Sequence, residues 1–252
     1  MLHLFISPHL DDAVLSCGGF VSKATASGDQ VVIATVFAGQ PGSLPPLAMT
    51  LHERWGINEN IEQRKAEDAA ACDAIGATFR HLGFQDAIYR SSENDGRARY
   101  ESIASLYGEY DPGDESMLAE IVVKLRELMR ELRPGAVYGP AAIGDHVDHM
   151  LTRISLEATI PICLVPSEAN LFLYEDLPYA ARTSSSFQAK NGQPVVQLLC
   201  ERDWHGKVRA LEKYKSQLSM LWPNANYSVE LQSYAQTFAP QADYAERFWR
   251  SM

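Results

Sequence analysis

Only four cysteines, Cys17, Cys72, Cys163 and Cys200, occur in the 252 residues, and no two form a CxxC pair. That excludes a cysteine-rich metal knuckle or a disulfide-stapled scaffold and predicts reduced cysteines packed in a core. No stretch approaches the ~20 apolar residues needed for a membrane-spanning helix. The first residues carry neither a basic segment nor a long apolar one, so no signal peptide and a cytoplasmic location are expected. Basic clusters are missing as well. With 22 Lys and Arg against 32 Asp and Glu, the net charge is −10, which argues against a nucleic-acid or anionic-membrane partner. Repeats, low-complexity tracts and heptads are absent, excluding a solenoid or coiled coil. No GxGxxG turn follows the first predicted strand, which removes the main signal of a dinucleotide-binding enzyme.

What is present suits one sizeable core: 46% of the residues are hydrophobic, and a single domain over 1–252 is expected. A short strand over 4–6 leads through Ser-Pro into a helix ending near 26, where Ser27-Gly28 signals a C-cap. Gly18 and Gly19 inside that helix imply close packing. The β-branched run 30–37 reads as a buried parallel strand. Further on, the pattern predicts a loop over 38–58, a helix over 59–75, a strand over 78–82 and an irregular insertion over 84–111 with a short helix near 102–107. A capped helix over 114–132 and a strand over 136–139 follow. Strands over 170–174 and 194–200 flank a hairpin-like or mobile loop over 183–192, and helices are expected over 203–221, 227–238 and 242–250. This alternation predicts a doubly wound α/β fold with a mostly parallel sheet and additional C-terminal elements.

Two short segments carry the chemistry. Ser7-Pro8-His9-Leu10-Asp11-Asp12 places an imidazole and two carboxylates at a strand exit, where ligands bind in open α/β sheets. Asp at a helix start is also a common cap, so the residues alone leave both readings open for Asp11 and Asp12. Gly144-Asp145-His146-Val147-Asp148-His149 places two further imidazoles beyond a later strand. A catalytic zinc site takes three protein ligands and keeps one position open. His9, Asp12 and His149 supply such a set. Asp11 is then left as candidate general base, His146 as oxyanion stabiliser or acid, and Asp148 as a residue that orients His146. Glu175, Asp176 and Tyr179, leaving another strand, are candidates for the pocket wall. His3, His52, His81 and His205 read as structural or surface residues.

These segments resemble the PHPDD and HPDH signatures of the PIG-L/LmbE-like N-acetylglucosamine deacetylases. Arg64-x-x-Glu67, with Ala70, Ile75 and Gly76 behind it, is similar to that family's Arg-Glu-Ala-Leu-Gly helix, and the segment ending Ser216-Gln217 to its late Ser-Gln helix. The resemblance implies a Rossmann-like fold and Zn2+ or another divalent metal at His9, Asp12 and His149. It also implies base chemistry at Asp11, an oxyanion or acid role at His146 and substrate contact at Arg64. The implied partner is an N-acetylated sugar or glycoconjugate, and an oligomer is compatible with it. Leu10 and Val147 replace the usual prolines, and Ala13 replaces a common Glu. The rival readings are an amidase acting on another sugar-conjugate amide and an inactive carbohydrate-binding protein.

Overall fold

In the computed structural model, which describes residues 1–56, 61–163, 170–183, 187, 192–223, 227–238 and 242–251, the sheet is built outward from two strands with apolar centres. β1 (Leu2–Ser7) and β2 (Gln30–Thr35) are buried along almost their whole length, as strands covered on both faces must be. β3 (Thr78–His81), β4 (Ala136–Pro140), β5 (Asn170–Tyr174), β6 (Gln193–Leu199) and β7 (Tyr244–Arg250) complete a seven-stranded sheet in the order β3-β2-β1-β4-β5-β7-β6. The first five in that order run parallel, while β7 is antiparallel to both β5 and β6.

The helices are α1 (Asp12–Ala26), α2 (Pro46–Trp55), α3 (Glu62–Ala74), α4 (Glu115–Leu132), α5 (Val147–Cys163), α6 (Tyr179–Arg182), α7 (Glu201–Leu211), α8 (Lys215–Leu221) and α9 (Tyr227–Gln236). Alternation along β1 sorts them into layers. Phe5 packs with α1, α3 and α7 on one face, whereas Leu4 and Ile6 pack with α4 and α5 on the other. None of the described helices is long and apolar enough to cross a membrane.

Five expectations are corrected. Residues 244–250 form a strand, because β7 pairs with β5 and β6, so tertiary pairing decides a segment that local pattern misassigns. The expected helix over 203–221 breaks into α7 and α8 at Tyr214, whose hydroxyl donates to Asp68 at 2.8 Å. The expected loop over 38–58 contains α2, started by Pro46 and closed by Gly56 in the left-handed region. Cys200 is exposed, unlike the buried Cys17 and Cys72. Near 102–107 only a 3₁₀ turn, Ala104–Leu106, forms. Most of the loop expected over 183–192, and the Cys163 side chain, lie outside the described residues.

α1 is pinned from behind. The buried Glu246 of β7 accepts the Gly19 and Phe20 N–H groups at 3.0 and 2.7 Å and pairs with Lys207 Nζ of α7 at 2.7 Å. A Cβ on Gly19 would stand 2.4 Å from Leu199 Cδ1, which explains a glycine mid-helix. The first turn of the helix so held carries Asp12.

Candidate metal centre

At the exit of β1, Ser7 folds the chain sharply: its hydroxyl donates to the His9 carbonyl at 2.6 Å and accepts the Ala13 N–H at 3.0 Å. Asp12 then reaches back. Its Oδ2 accepts the His9 N–H at 2.8 Å and lies 3.1 Å from His9 Nδ1 and 3.3 Å from His149 Nε2. Asp11 occupies the N-cap position of α1, yet its side chain makes no capping hydrogen bond.

The second half comes from the exit of β4. Ala142, Gly144 and Asp145 all adopt positive φ, at 57°, 91° and 55°, turning the chain into α5. Gly144 is required twice, since a Cβ there would also stand 2.9 Å from the Tyr179 ring. His149 donates from Nδ1 to Asp176 Oδ1 at 2.7 Å, and Asp176 Oδ2 accepts the Ile143 N–H at 3.0 Å. The buried His149 Nε2 is thereby aimed at Asp12 without a hydrogen-bond partner.

The donor atoms of His9, Asp12 and His149 lie within 4.8 Å of one another. Two imidazoles and one carboxylate, all buried, with one nitrogen orphaned, fit a divalent cation such as zinc. His9, His146 and Asp148 form a second group of the same compactness. There, however, Asp148 is already engaged: Oδ1 meets Arg90 Nη1 at 2.7 Å, while Oδ2 accepts the Ala87 N–H at 2.9 Å and faces His9 Nε2 at 3.0 Å.

The potential here is negative. Burial opposes charge on His9, but Asp86, Asp12 and Asp148 together raise it well above the ordinary imidazole range. Burial likewise opposes charge on His149, and Asp12 and Asp176 carry it up to about 9. A cation at the ligand set would displace such protons. Burial, then Asp12, push Asp11 up to about 7, with Arg64 and His9 pulling the other way. His146 is pushed down to about 3 by burial and by His9. Its Nδ1 accepts the Asp148 N–H at 3.2 Å, so the neutral ring carries its proton on Nε2.

His9, Asp11, Asp12, Arg64 and His146 line one cleft of about 260 Å³. The Asp148 side chain makes its hydrogen bonds to His9 and Ala87, and only its backbone N–H is bonded to His146. Of the three residues after β5, Tyr179 lines the cleft, Asp176 holds His149, and Glu175 turns away to Arg247 and Trp249. His3 and His52 are buried on Tyr138 and Tyr89, and His81 pairs with Asp68.

Two residues escape the sequence reading. Asp86, 3.7 Å from His9 Nε2 and 3.9 Å from Arg64 Nη1, lies beyond β3, and Arg90 lies just after it. The available signal is position: His9, Asp86, His146 and Asp176 all follow carboxyl ends of parallel strands.

Fold and site thus define an α/β protein with a His-Asp-His centre at the carboxyl edge of its sheet. The chain belongs to the GlcNAc-PI de-N-acetylase (PIG-L) family, which it matches over residues 4–159. It is 32% identical over 180 residues to the 2'-N-acetylparomamine deacetylase of Streptomyces fradiae, covering 71% of this chain and 58% of that protein. The enzyme of the same name from Niallia circulans is 30% identical over 234 residues, 85% of this chain and 80% of the relative. This chain therefore spans little more than half the length of the first relative and most of the second. The crystal structure of the zinc-inhibited form of teicoplanin deacetylase Orf2 matches with a TM-score of 0.88 at 32% identity, covering 99% of this chain and 97% of that one.

Proposed function

We propose that the protein is a metal-dependent N-deacetylase that removes acetyl from an N-acetylglucosamine-type sugar of a glycoconjugate, releasing acetate and a primary amine. The observation that carries this reading is the orphaned His149 Nε2, held by Asp176 and aimed at Asp12, with Asp11 lining the cleft together with His9 and Asp12. His9, Asp12 and His149 are the proposed ligands, and zinc or another divalent ion the proposed occupant. A cation there supplies Lewis acidity, making water acidic and polarising an amide carbonyl.

The chain's own groups do the rest. Asp11 takes a proton from the attacking water and returns it to the departing nitrogen, so that water and amide become acetate and amine. His146, with Nδ1 occupied by the Asp148 N–H, offers Nε2–H to the carbonyl oxygen as charge develops there. Asp148 fixes the His9 ring, which makes it a positioning residue rather than a reacting one. Arg64, paired with Asp86 in the cleft, is the proposed donor to sugar hydroxyls. The relatives named for acetylated paromamine and for teicoplanin support a glycoconjugate as substrate.

The test is metal content and acetate release measured together, over N-acetylglucosamine and its glycosides and with zinc, cobalt, nickel and manganese added from substoichiometric to excess. About one metal per chain with chelator-sensitive acetate release is expected. Amine release without acetate would instead select the other-amide reading. Metal without any release would select the binding protein.

A further inference from the structure

The cleft has a second lining that the chemistry above leaves unused. Leu51 of α2, Ile88 and Leu106 belong to one apolar cluster with Met220 of α8 packed against it, and all four face the cleft. Ile103 extends this wall with 46% of its surface exposed. Tyr107, 41% exposed, joins the wall to the reacting end, since its backbone bridges to His146 and the two rings stand edge to face at 5.4 Å. Continuity therefore fixes what covers the wall: whatever is attached to a sugar whose amide sits at His146. An aminocyclitol seated on these apolar side chains would lose hydration, and Arg54 and Arg182, which line the same cleft, would repel its ammonium groups, whereas an alkyl or aryl group would gain by burial.

We propose that the substrate's aglycone is apolar, an alkyl or aryl group seated on the wall of Leu51, Ile103, Leu106 and Met220. This rests on the deacetylase reading for the placement of the sugar. It separates the chain from an aminocyclitol-glycoside substrate and makes the segment 103–107 a determinant of specificity.

The experiment measures Kd by calorimetry for methyl, phenyl and aminocyclitol glycosides of N-acetylglucosamine on metal-loaded Asp11→Asn, which is expected not to turn them over. The same glycosides are assayed for acetate release with the wild type. At about fourfold per fully buried methylene, the phenyl glycoside should bind at least about tenfold more tightly than the methyl one. Ile103→Ser, at an exposed position, should narrow that ratio by about threefold. Equal phenyl and methyl affinities, or tightest binding of the aminocyclitol glycoside, would overturn the assignment, as would failure to bind any of the three. Tight phenyl binding without acetate from the wild type would retain the apolar subsite and remove the deacetylase reading instead.

Discussion

Asp148 sets its Oδ2 3.0 Å from His9 Nε2, which leaves Nδ1 of that imidazole turned to Asp12. Asp176 does the same for His149 from the other side, taking Nδ1 and leaving Nε2. Each carboxylate fixes which nitrogen is free to ligate. Asp148 is in turn held by Arg90, buried between it and Asp114.

Replacing Arg90 with Gln should therefore be felt at the centre without touching it. The Asp148 carboxylate loses its cation, and breaking a buried pair in this way costs about 3–5 kcal/mol of stability. Metal affinity should fall about 10- to 100-fold, because the His9 ring is no longer fixed. Denaturant unfolding and a competitive chelator titration measure the two effects, and unchanged metal affinity would detach Arg90 from the site.

Asp176→Asn tests the opposite support. The amide keeps the size of the side chain but removes the charge that orients and polarises His149, so metal affinity should again drop about 10- to 100-fold. The fold should survive, which circular dichroism reports. Full affinity in this variant would show that His149 needs no partner.

Lys207→Met leaves Glu246 buried without its cation, still accepting two N–H groups of α1. The expected loss is about 3–5 kcal/mol. Lys207→Met combined with Glu246→Gln should recover part of it, read from the unfolding midpoint. A double variant no better than the single one would show that the charge is not the cause.

Gly144→Ala combines a left-handed backbone with a methyl group placed against the Tyr179 ring. A cost of about 1–3 kcal/mol is expected. Because the affected loop carries His146, turnover should fall more than metal binding does. Equal losses in both would place the strain at the ligands instead.

The sequence exposed the two motif-bearing strand exits because each concentrates imidazole and carboxylate within a few residues. The parallel half of the sheet was legible for a related reason, since β1 and β2 carry unbroken apolar centres, Leu4 to Ile6 and Val31 to Ala34. Asp86 and Arg90 were not legible as parts of the site, and Asp176 was legible as a candidate for the pocket wall but not as the partner of His149: each is a single charged residue whose partner lies far along the chain, His9, Asp148 and His149 respectively. β7 escaped because its Tyr-Ala-Glu-Arg-Phe-Trp-Arg sequence shows no clean alternation, and Glu246 is polar yet buried for a helix it meets only in three dimensions. Tyr214, which breaks the late helix, answers to Asp68 on α3.

The central claim divides labour between two adjacent aspartates, Asp12 for the cation and Asp11 for the proton. Metal content per chain, measured side by side on the wild type, Asp11→Asn and His149→Ala after identical reconstitution, tests it most directly. The account predicts about one metal in the wild type and in Asp11→Asn, and almost none in His149→Ala. Metal lost from Asp11→Asn, or retained in His149→Ala, would contradict it.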